Sequence, residues 1–126
     1  MTPSLILGSA SPRRRELIAR LGVELAGVAA ADIDETPLRA ELPRVYAVRM
    51  AREKAAAVDG GAAFVLAGDT VVACGRRILP KAEDEATARQ CLTILSGRRH
   101  RVLSAIALKY PDGTLREKLS ETIVRF

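Results

Sequence analysis

Residues Gly8 to Arg15 combine the side chains and backbone groups that bind anions. The segment reads Gly-Ser-Ala-Ser-Pro-Arg-Arg-Arg, where a predicted strand ends and a predicted helix begins. The backbone N–H groups in the first turn of a helix and the helix dipole both attract phosphate. Ser9 and Ser11 can donate hydrogen bonds, and Arg13 and Arg14 can each grip phosphate oxygens with two N–H groups. The alternative is that the Ser-Pro pair only caps the helix and the arginines are solvated.

Acidic residues from two parts of the chain could hold a divalent cation. Asp32, Asp34 and Glu35 share one predicted loop, and Asp69 follows an apolar run elsewhere. Carboxylates that converge from the ends of two strands can bind a hard cation and position a water molecule. Asp69 is the sharper signal, because a carboxylate in an apolar segment is costly to bury unless it is paired or metal-bound. The alternatives are a turn-capping Asp69 and a solvated acidic loop.

Further cations stand at predicted helix ends and loops: Lys54, Lys81 and the turn Ser96-Gly97-Arg98. Each of them is individually compatible with an ordinary surface residue. His100 is the only histidine, so neither a catalytic triad nor a histidine-rich zinc site is favoured. The patterns GxxxxGK[ST] and GxGxxG are absent, which indicates a phosphate site that is neither a P-loop nor a dinucleotide fingerprint.

Apolar periodicity, prolines and glycines predict the elements that must position these residues. The predicted order is β-α-β-α-β-β-α-β-β, an α/β domain with a mixed sheet. Strands are expected over residues 4–8, 23–30, 64–67, 70–73, 100–108 and 115–126. Helices are expected from Pro12 to Gly22, from Pro43 to Val58 and from Asp84 to Leu95. Pro111-Asp112-Gly113 is predicted to turn the chain between the last two strands.

Composition limits the class of protein. A chain of 126 residues with 48% hydrophobic content is expected to form one domain over residues 1–126. The net charge of +5 favours anionic partners, although an arginine-rich composition of genomic origin gives the same charge. An aromatic content of 3% without tryptophan argues against single-stranded nucleic-acid binding. The two cysteines are far apart in the sequence, which favours a protein of the reducing cytoplasm. No apolar stretch approaches the ~20 residues of a membrane span, so a membrane partner is not expected.

Five short motifs follow one another along the chain: SASPRR at 9–14, ADIDE at 31–35, REKA at 52–55, GDT at 68–70 and LSGR at 95–98. In order and spacing they resemble the Maf family of nucleoside triphosphate pyrophosphatases. The resemblance implies a twisted mixed sheet flanked by helices with a nucleotide cleft, as in inosine-triphosphatase-type proteins. It also implies hydrolysis between the α and β phosphates with a divalent cation, Mg²⁺ or Mn²⁺.

The family's functional residues carry over to the matching motif positions. Asp69 corresponds to the proton acceptor that activates the attacking water, and Glu35, with Asp34 and Asp69, corresponds to the metal site. The positions that match the triphosphate-binding residues are Ser9, Arg13, Arg14, Lys54 and Lys81. Arg13 and Thr70 resemble the branch that acts on dTTP and UTP, although Thr70 is also an ordinary strand residue.

The chain departs from the family's pattern in several places. Pro80-Lys81-Ala82 stands where the family has Gly-Lys-Pro, and Gly68 stands where the family has alanine. The family's C-terminal segment is expected to be missing after Phe126. A nucleotide-binding fragment without turnover is therefore one alternative to the enzyme, and a nucleic-acid-binding module is a less favoured one. The resemblance leaves a homodimer open.

Overall fold

Strands and helices alternate in the first half of the chain, and a long antiparallel pair of strands follows. The computed structural model describes residues 4–9, 12–79, 85–95 and 99–125. Within these ranges the strands are β1 Leu5–Leu7, β2 Leu25–Val28, β3 Phe64–Cys74, β4 Arg77–Leu79, β5 Arg99–Lys109 and β6 Leu115–Arg125. The helices are α1 Pro12–Arg20, α2 Pro43–Ala57 and α3 Glu85–Leu95. None of these three helices is long and apolar enough to cross a membrane.

The predicted α/β class, the mixed sheet and the three predicted helices are confirmed. Pro12 and Pro43 each begin a helix. The N–H group of the first helical residue has no partner within the helix, so proline, which lacks an N–H group, is favoured there. Gly22 follows α1 with a φ of 77°, a conformation that glycine adopts without strain and that suits a helix end. Several predicted features lie outside the described residues: the Ser11 cap, Pro80, Lys81, the Asp84 cap, the turn Ser96-Gly97-Arg98 and Phe126.

The division of residues 64–73 into two strands is wrong. Both runs belong to the single strand β3, and Asp69 lies inside its ladder opposite Ala105 of β5. The second strand of this region is β4, three residues long and paired back onto the end of β3. A side-chain partner compensates the Asp69 carboxylate, as described below, so the backbone has no need to break at this residue.

The six strands form one mixed sheet in the order β2-β1-β3-β5-β6, and β4 also pairs with β3. β1 runs parallel to β2 and β3, whereas β3–β4, β3–β5 and β5–β6 are antiparallel. The predicted turn between the last two strands is confirmed. There Gly113 has a φ of 92°, and the Asp112 carboxylate accepts the Thr114 N–H at 2.8 Å.

The two faces of β3 have different neighbours. The core under α2 includes Ala67, Val71 and Ala73 of β3 together with Met50 of α2. A cleft beside α1 is lined by the continuous run Leu66 to Thr70, and the Thr70 side chain contacts Arg14 of that helix. Because successive side chains of a strand point to opposite faces, Asp69 belongs to the α2 face and Thr70 to the α1 face.

The end of β1 is the point where the strand order reverses. β2 and β3 lie on opposite sides of β1, and β3 continues to Cys74 whereas β1 ends at Leu7. In open α/β sheets, the crevice outside the carboxyl end of the strand at such a reversal is where ligands bind. In this chain the segment after β1 carries Ser9, and the neighbouring part of β3 carries Gly68, Asp69 and Thr70.

Candidate active site

Asp69 is a buried carboxylate in the middle of β3, only 4% exposed. Its neighbours on the same face of the strand are Ala67 and Val71, which cannot hydrogen-bond to a carboxylate through their side chains. A buried charge is unfavourable unless an opposite charge and hydrogen bonds compensate it. Lys54 Nζ lies 3.0 Å from Asp69 Oδ1 and donates a hydrogen bond to it. The structure thus gives Asp69 an ionic partner from α2.

Lys54 extends from the core-facing side of α2. Tyr46 and Met50 are buried on that side of the helix, and Lys54 continues the spacing of four residues. The Lys54 side chain is 12% exposed, and its Nζ also lies 3.1 Å from Glu35 Oε1. A single ammonium group therefore joins two carboxylates, one from β3 and one from the loop before α2.

Glu35 and its neighbour Asp34 have different surroundings. The backbone carbonyl of Glu35 accepts a hydrogen bond from Tyr46 Oη at 2.6 Å. Asp34 Oδ1 accepts the backbone N–H of Thr36 at 3.0 Å. That hydrogen bond lowers the pKa of the exposed Asp34 carboxyl below its usual value. The structure brings Glu35 and Asp69 together at Lys54 and gives Asp34 a local hydrogen bond within the loop.

Arg14 spans the gap beyond the end of β1. Its Nη1 donates to Ser9 Oγ at 3.1 Å, and its Nη2 donates to Thr70 Oγ1 at 3.4 Å. Gly68 leaves room for this guanidinium: a Cβ at position 68 would lie 3.6 Å from Arg14 Nε and 3.1 Å from the carbonyl oxygen of Ala105. Glycine here lets both α1 and β5 approach the β3 backbone closely.

A cleft of about 680 Å³ opens beside these residues. Its polar lining includes Arg13, Arg14, Asp69, Thr70 and Ser104. Its apolar lining includes Leu17, Ile18, Leu66 and Ile106. The cleft thus combines cationic groups from the first turn of α1 with an apolar wall, a combination that suits a ligand with an anionic end and a less polar end.

The carboxylates fit a hard divalent cation. Mg²⁺ is typically held by one or two carboxylates together with phosphate oxygens and water, and Glu35 and Asp69 already share one cationic group in Lys54. Within residues 4–9, 12–79, 85–95 and 99–125, no three His, Cys, Asp or Glu side chains form a group that could hold a metal ion. Glu35 and Asp69 could supply two carboxylate ligands to such a cation.

Two residues that touch this cluster did not stand out in the sequence. Tyr46 supports Glu35, and Arg49 donates to the next backbone carbonyl, that of Thr36, at 3.3 Å. The available signal was the spacing Tyr46, Met50, Lys54, which places a phenol and an ammonium on one side of a helix. Lys81, predicted to bind phosphate, lies outside the described residues.

Comparison with known sequences gives consistent matches. Residues 4–126 match the family model described as Maf-like protein. The dTTP/UTP pyrophosphatase of Novosphingobium aromaticivorans is 68% identical over 126 residues, covering 98% of this chain and 63% of that protein. The dTTP/UTP pyrophosphatase of Paramagnetospirillum magneticum is 58% identical over 124 residues, covering 97% of this chain and 65% of that protein. The chain spans less than two thirds of the length of these relatives.

Solved structures share the fold. The Staphylococcus aureus Ham1 protein superposes with a TM-score of 0.62 at 14% identity, covering 97% of this chain and 71% of that one. A nucleoside-triphosphatase described as a dITP/XTP pyrophosphatase, from Mycobacterium abscessus, gives a TM-score of 0.60 at 19% identity, covering 95% and 72%. At this identity the likeness concerns architecture, and it agrees with the inosine-triphosphatase-type fold predicted from the sequence.

Proposed function

The chain belongs to the Maf-like protein family, and from that premise we propose that it hydrolyses dTTP or UTP to the nucleoside monophosphate and pyrophosphate. The observation that carries the proposal is the junction at Asp69 and Thr70. On one face of β3, Asp69 contacts Lys54, which also contacts Glu35, and on the other face Thr70 contacts Arg14. The proposed water-activating carboxylate and the proposed cationic phosphate site thus involve adjacent residues of β3, and Asp69, Thr70 and Arg14 all line the same cleft.

In the proposed reaction, the oxygen of a water molecule forms a bond to the α phosphorus as the bond from that phosphorus to the bridging oxygen breaks. Asp69 accepts the proton of the water, and the leaving group departs as pyrophosphate. Reactions of this type depend on placed cations and an aligned nucleophile more than on covalent chemistry. Arg13, Arg14, Ser9 and Lys54, with Lys81, would bind the triphosphate.

Glu35 and Asp69, with Asp34 nearby in sequence, would hold Mg²⁺ or Mn²⁺ together with the phosphates of the substrate. A bound divalent cation neutralises phosphate charge and polarises the phosphoryl oxygens. Because Lys54 joins the same two carboxylates, its ammonium group stays close to the triphosphate and adds a further positive charge there.

The pyrimidine preference rests on two kinds of support. Several relatives above 50% identity carry the name dTTP/UTP pyrophosphatase, and Arg13 and Thr70 occupy the positions that distinguish this branch. Thr70 also accepts a hydrogen bond from Arg14, which ties the specificity position to the phosphate-binding arginine. The proposal further places the chain in the cytoplasm as a single domain that acts on free nucleotides, with neither a nucleic acid nor a membrane as partner, and leaves a homodimer open.

Substitution of Asp69 tests the reaction. We expect Asp69→Asn to lower pyrophosphate release by about 10²–10⁴-fold, the usual contribution of a general base. The assay follows pyrophosphate from dTTP, UTP, CTP, GTP and 7-methyl-GTP with Mg²⁺. The matched control is Asp112→Asn in the exposed hairpin turn, where asparagine is equally suited and turnover should not change. Turnover that is undiminished in Asp69→Asn would contradict the enzymatic proposal. So would the absence of turnover in a parent chain that is shown to be folded.

Nucleotide binding without turnover is the second candidate. The observation that favours it is the separation of the two groups: Arg14, Ser9 and Thr70 form a hydrogen-bonded set that does not require Asp69. Such a chain would be stabilised by dTTP but would release no pyrophosphate. The two candidates therefore differ in a single measurement on the same sample.

A further inference from the structure

The loop that carries Glu35 has no regular structure of its own. The backbone from Ala29 to Leu42 forms neither helix nor strand, and Asp34, Glu35 and Thr36 are exposed. A flexible segment loses conformational entropy when it is held in one shape. The position of the Glu35 carboxylate beside Lys54 therefore depends on contacts that hold this loop against the rest of the protein.

Tyr46 provides one such contact at Glu35 itself. The residue is 8% exposed, and its hydroxyl donates a hydrogen bond to the Glu35 carbonyl oxygen at 2.6 Å. The buried phenol thus donates to the loop backbone and holds the Glu35 carbonyl against α2.

Arg49, one helical turn further along α2, holds the loop on the other side of Glu35. Its guanidinium donates to the Thr36 carbonyl at 3.3 Å and lies over the Tyr46 ring, 5.6 Å from the centroid. It also binds both carboxylate oxygens of Glu41, at 2.7 Å and 2.8 Å. Glu41 in turn accepts the backbone N–H of Leu38 at 3.0 Å.

We propose that Tyr46 and Arg49 form a clamp that positions the Glu35 carboxylate for the divalent cation, and that they are positioning residues of the active site. The inference rests on the proposed function, since Glu35 has a cation to bind only if the chain acts on metal-bound nucleotides. The clamp grips the backbone at residues 35 and 36, so it fixes the direction in which the Glu35 side chain leaves the loop. Neither clamp residue is among the described residues that line the cleft beside α1.

Tyr46→Phe removes only the hydroxyl and leaves the buried ring in place. The probe is Mn²⁺, titrated by electron paramagnetic resonance into the full chain with a dUTP analogue whose α,β bridge is a methylene group. We expect the dissociation constant of Mn²⁺ to rise by about tenfold, the upper end for the loss of one hydrogen bond. The affinity for the analogue without metal should change less than about twofold, because Arg13, Arg14 and Ser9 are untouched.

Tyr110→Phe is the matched control, because it makes the same substitution in a ring that packs against Phe64 at the start of β3. A second comparison uses Glu35→Gln, which keeps the carbonyl that Tyr46 binds. If Tyr46 acts through Glu35, then Tyr46→Phe in the Glu35→Gln background should add no further loss of Mn²⁺ affinity. This non-additivity separates positioning from a general loss of structure.

Equal Mn²⁺ affinities in Tyr46→Phe and Tyr110→Phe would overturn the clamp. Losses of Mn²⁺ affinity that add fully when Tyr46→Phe and Glu35→Gln are combined would also overturn it. If Tyr46→Phe fails to fold, Arg49→Lys weakens the same attachment and should also raise the Mn²⁺ dissociation constant; an unchanged constant there overturns the clamp. A parent chain that binds Mn²⁺ with the analogue but releases no pyrophosphate from dTTP contradicts the proposed function alone. A parent chain that binds no Mn²⁺ contradicts both.

Discussion

The cluster of Lys54, Asp69 and Glu35 shows how one buried charge determines the roles of its neighbours. The side chains of Asp69 and Lys54 are 5% and 12% exposed, so water does little to stabilise either charge. The pair is stable because the two ions compensate each other and Glu35 adds a second carboxylate. Removing one partner of such a pair leaves an uncompensated charge in the interior, whereas removing both does not.

Lys54→Met tests this dependence through stability. We expect the free energy of unfolding to fall by about 3–5 kcal/mol, the cost of breaking a buried ion pair, as measured by urea denaturation. The control Lys118→Met, in an exposed position on β6, should change it by less than about 0.5 kcal/mol. The double variant Lys54→Met/Asp69→Asn should lose less than the sum of the two single variants. Strict additivity would show that the ammonium and the carboxylate do not stabilise each other.

The sequence predicted these residues to different extents. Asp69 stood out because an acidic residue in an apolar run needs a partner, and Ser9 and Arg14 stood out because they bracket the start of a helix. The partner of Asp69 was not predictable from spacing, since Lys54 lies fifteen positions away on another element. Tyr46 resembled an ordinary core residue, because only the three-dimensional path of the Glu35 loop gives its hydroxyl a hydrogen-bond partner.

At the scale of elements, α2 both covers the sheet and organises the site. Its alanines and Met50 pack against β3 and β5, and Tyr46, Arg49 and Lys54 reach the Glu35 loop and Asp69. Arg49 attaches the segment before the helix to α2 through Thr36 and Glu41. Its pKa is raised chiefly by its hydrogen bonds to Glu41, and the same contact lowers the pKa of Glu41 below its usual value of 4.5.

Arg49→Met tests that attachment through the pH dependence of stability. The Glu41 side chain is 4% exposed, and the loss of its charged hydrogen bonds should cost about 1.5–3 kcal/mol at neutral pH. Because the pKa of Glu41 is lower in the folded state, its contribution is complete above 4.5 and is lost as the pH falls through the folded value. Urea denaturation at neutral and acidic pH should therefore show that the free energy of unfolding falls less on acidification in the variant than in the parent chain.

The control for this variant is Arg52→Met, which removes a more exposed ion pair with Glu117. The side chains of that pair are 49% and 31% exposed, and such pairs contribute at most about 1 kcal/mol. Arg49→Met could be as stable as Arg52→Met at neutral pH, with a pH dependence of the unfolding free energy like that of the parent chain. That result would show that the segment before α2 is held by other contacts.

Elements with a clear apolar period or a terminal proline were predictable, and those defined by pairing were not. α2 begins at Pro43 as predicted, because proline at a first turn and an alanine-rich stripe are local signals. β4 has only three residues, too few for a pattern, and it exists because β3 offers a partner. β3 continues through Asp69, whose carboxylate is paired with Lys54 from another element, and no local rule contains that pairing.

On the scale of the whole molecule, the sheet order places the site. Sequence predicted a mixed sheet but not that β3 would stand between β1 and β5, because pairing between distant strands has no local signature. The reversal at β1 creates the crevice, and the helix that follows β1 brings Arg13 and Arg14 to it. The net charge of +5 adds a general attraction for anions, and these two arginines concentrate positive charge at the cleft.

Nucleotide-dependent thermal stability tests the site as a property of the whole folded chain. A ligand at 100 times its dissociation constant stabilises a protein by about 2.7 kcal/mol, which for a domain of this size corresponds to a rise of several degrees in Tm. We expect dTTP with Ca²⁺ to give that rise and dTMP to give a much smaller one, because Arg13, Arg14 and Ser9 are proposed to bind the triphosphate. Differential scanning fluorimetry measures both.

The same measurement on Arg14→Gln should lose at least half of the dTTP shift, since the variant loses the guanidinium that spans Ser9 and Thr70. Arg116→Gln on β6 is the control and should keep the shift; Arg116 lies over the Tyr110 ring, 5.6 Å from its centroid. Equal shifts with dTTP and dTMP, or an undiminished shift in Arg14→Gln, would contradict a triphosphate site at the end of β1. A dTTP shift in a parent chain that releases no pyrophosphate would assign this chain to nucleotide binding without hydrolysis.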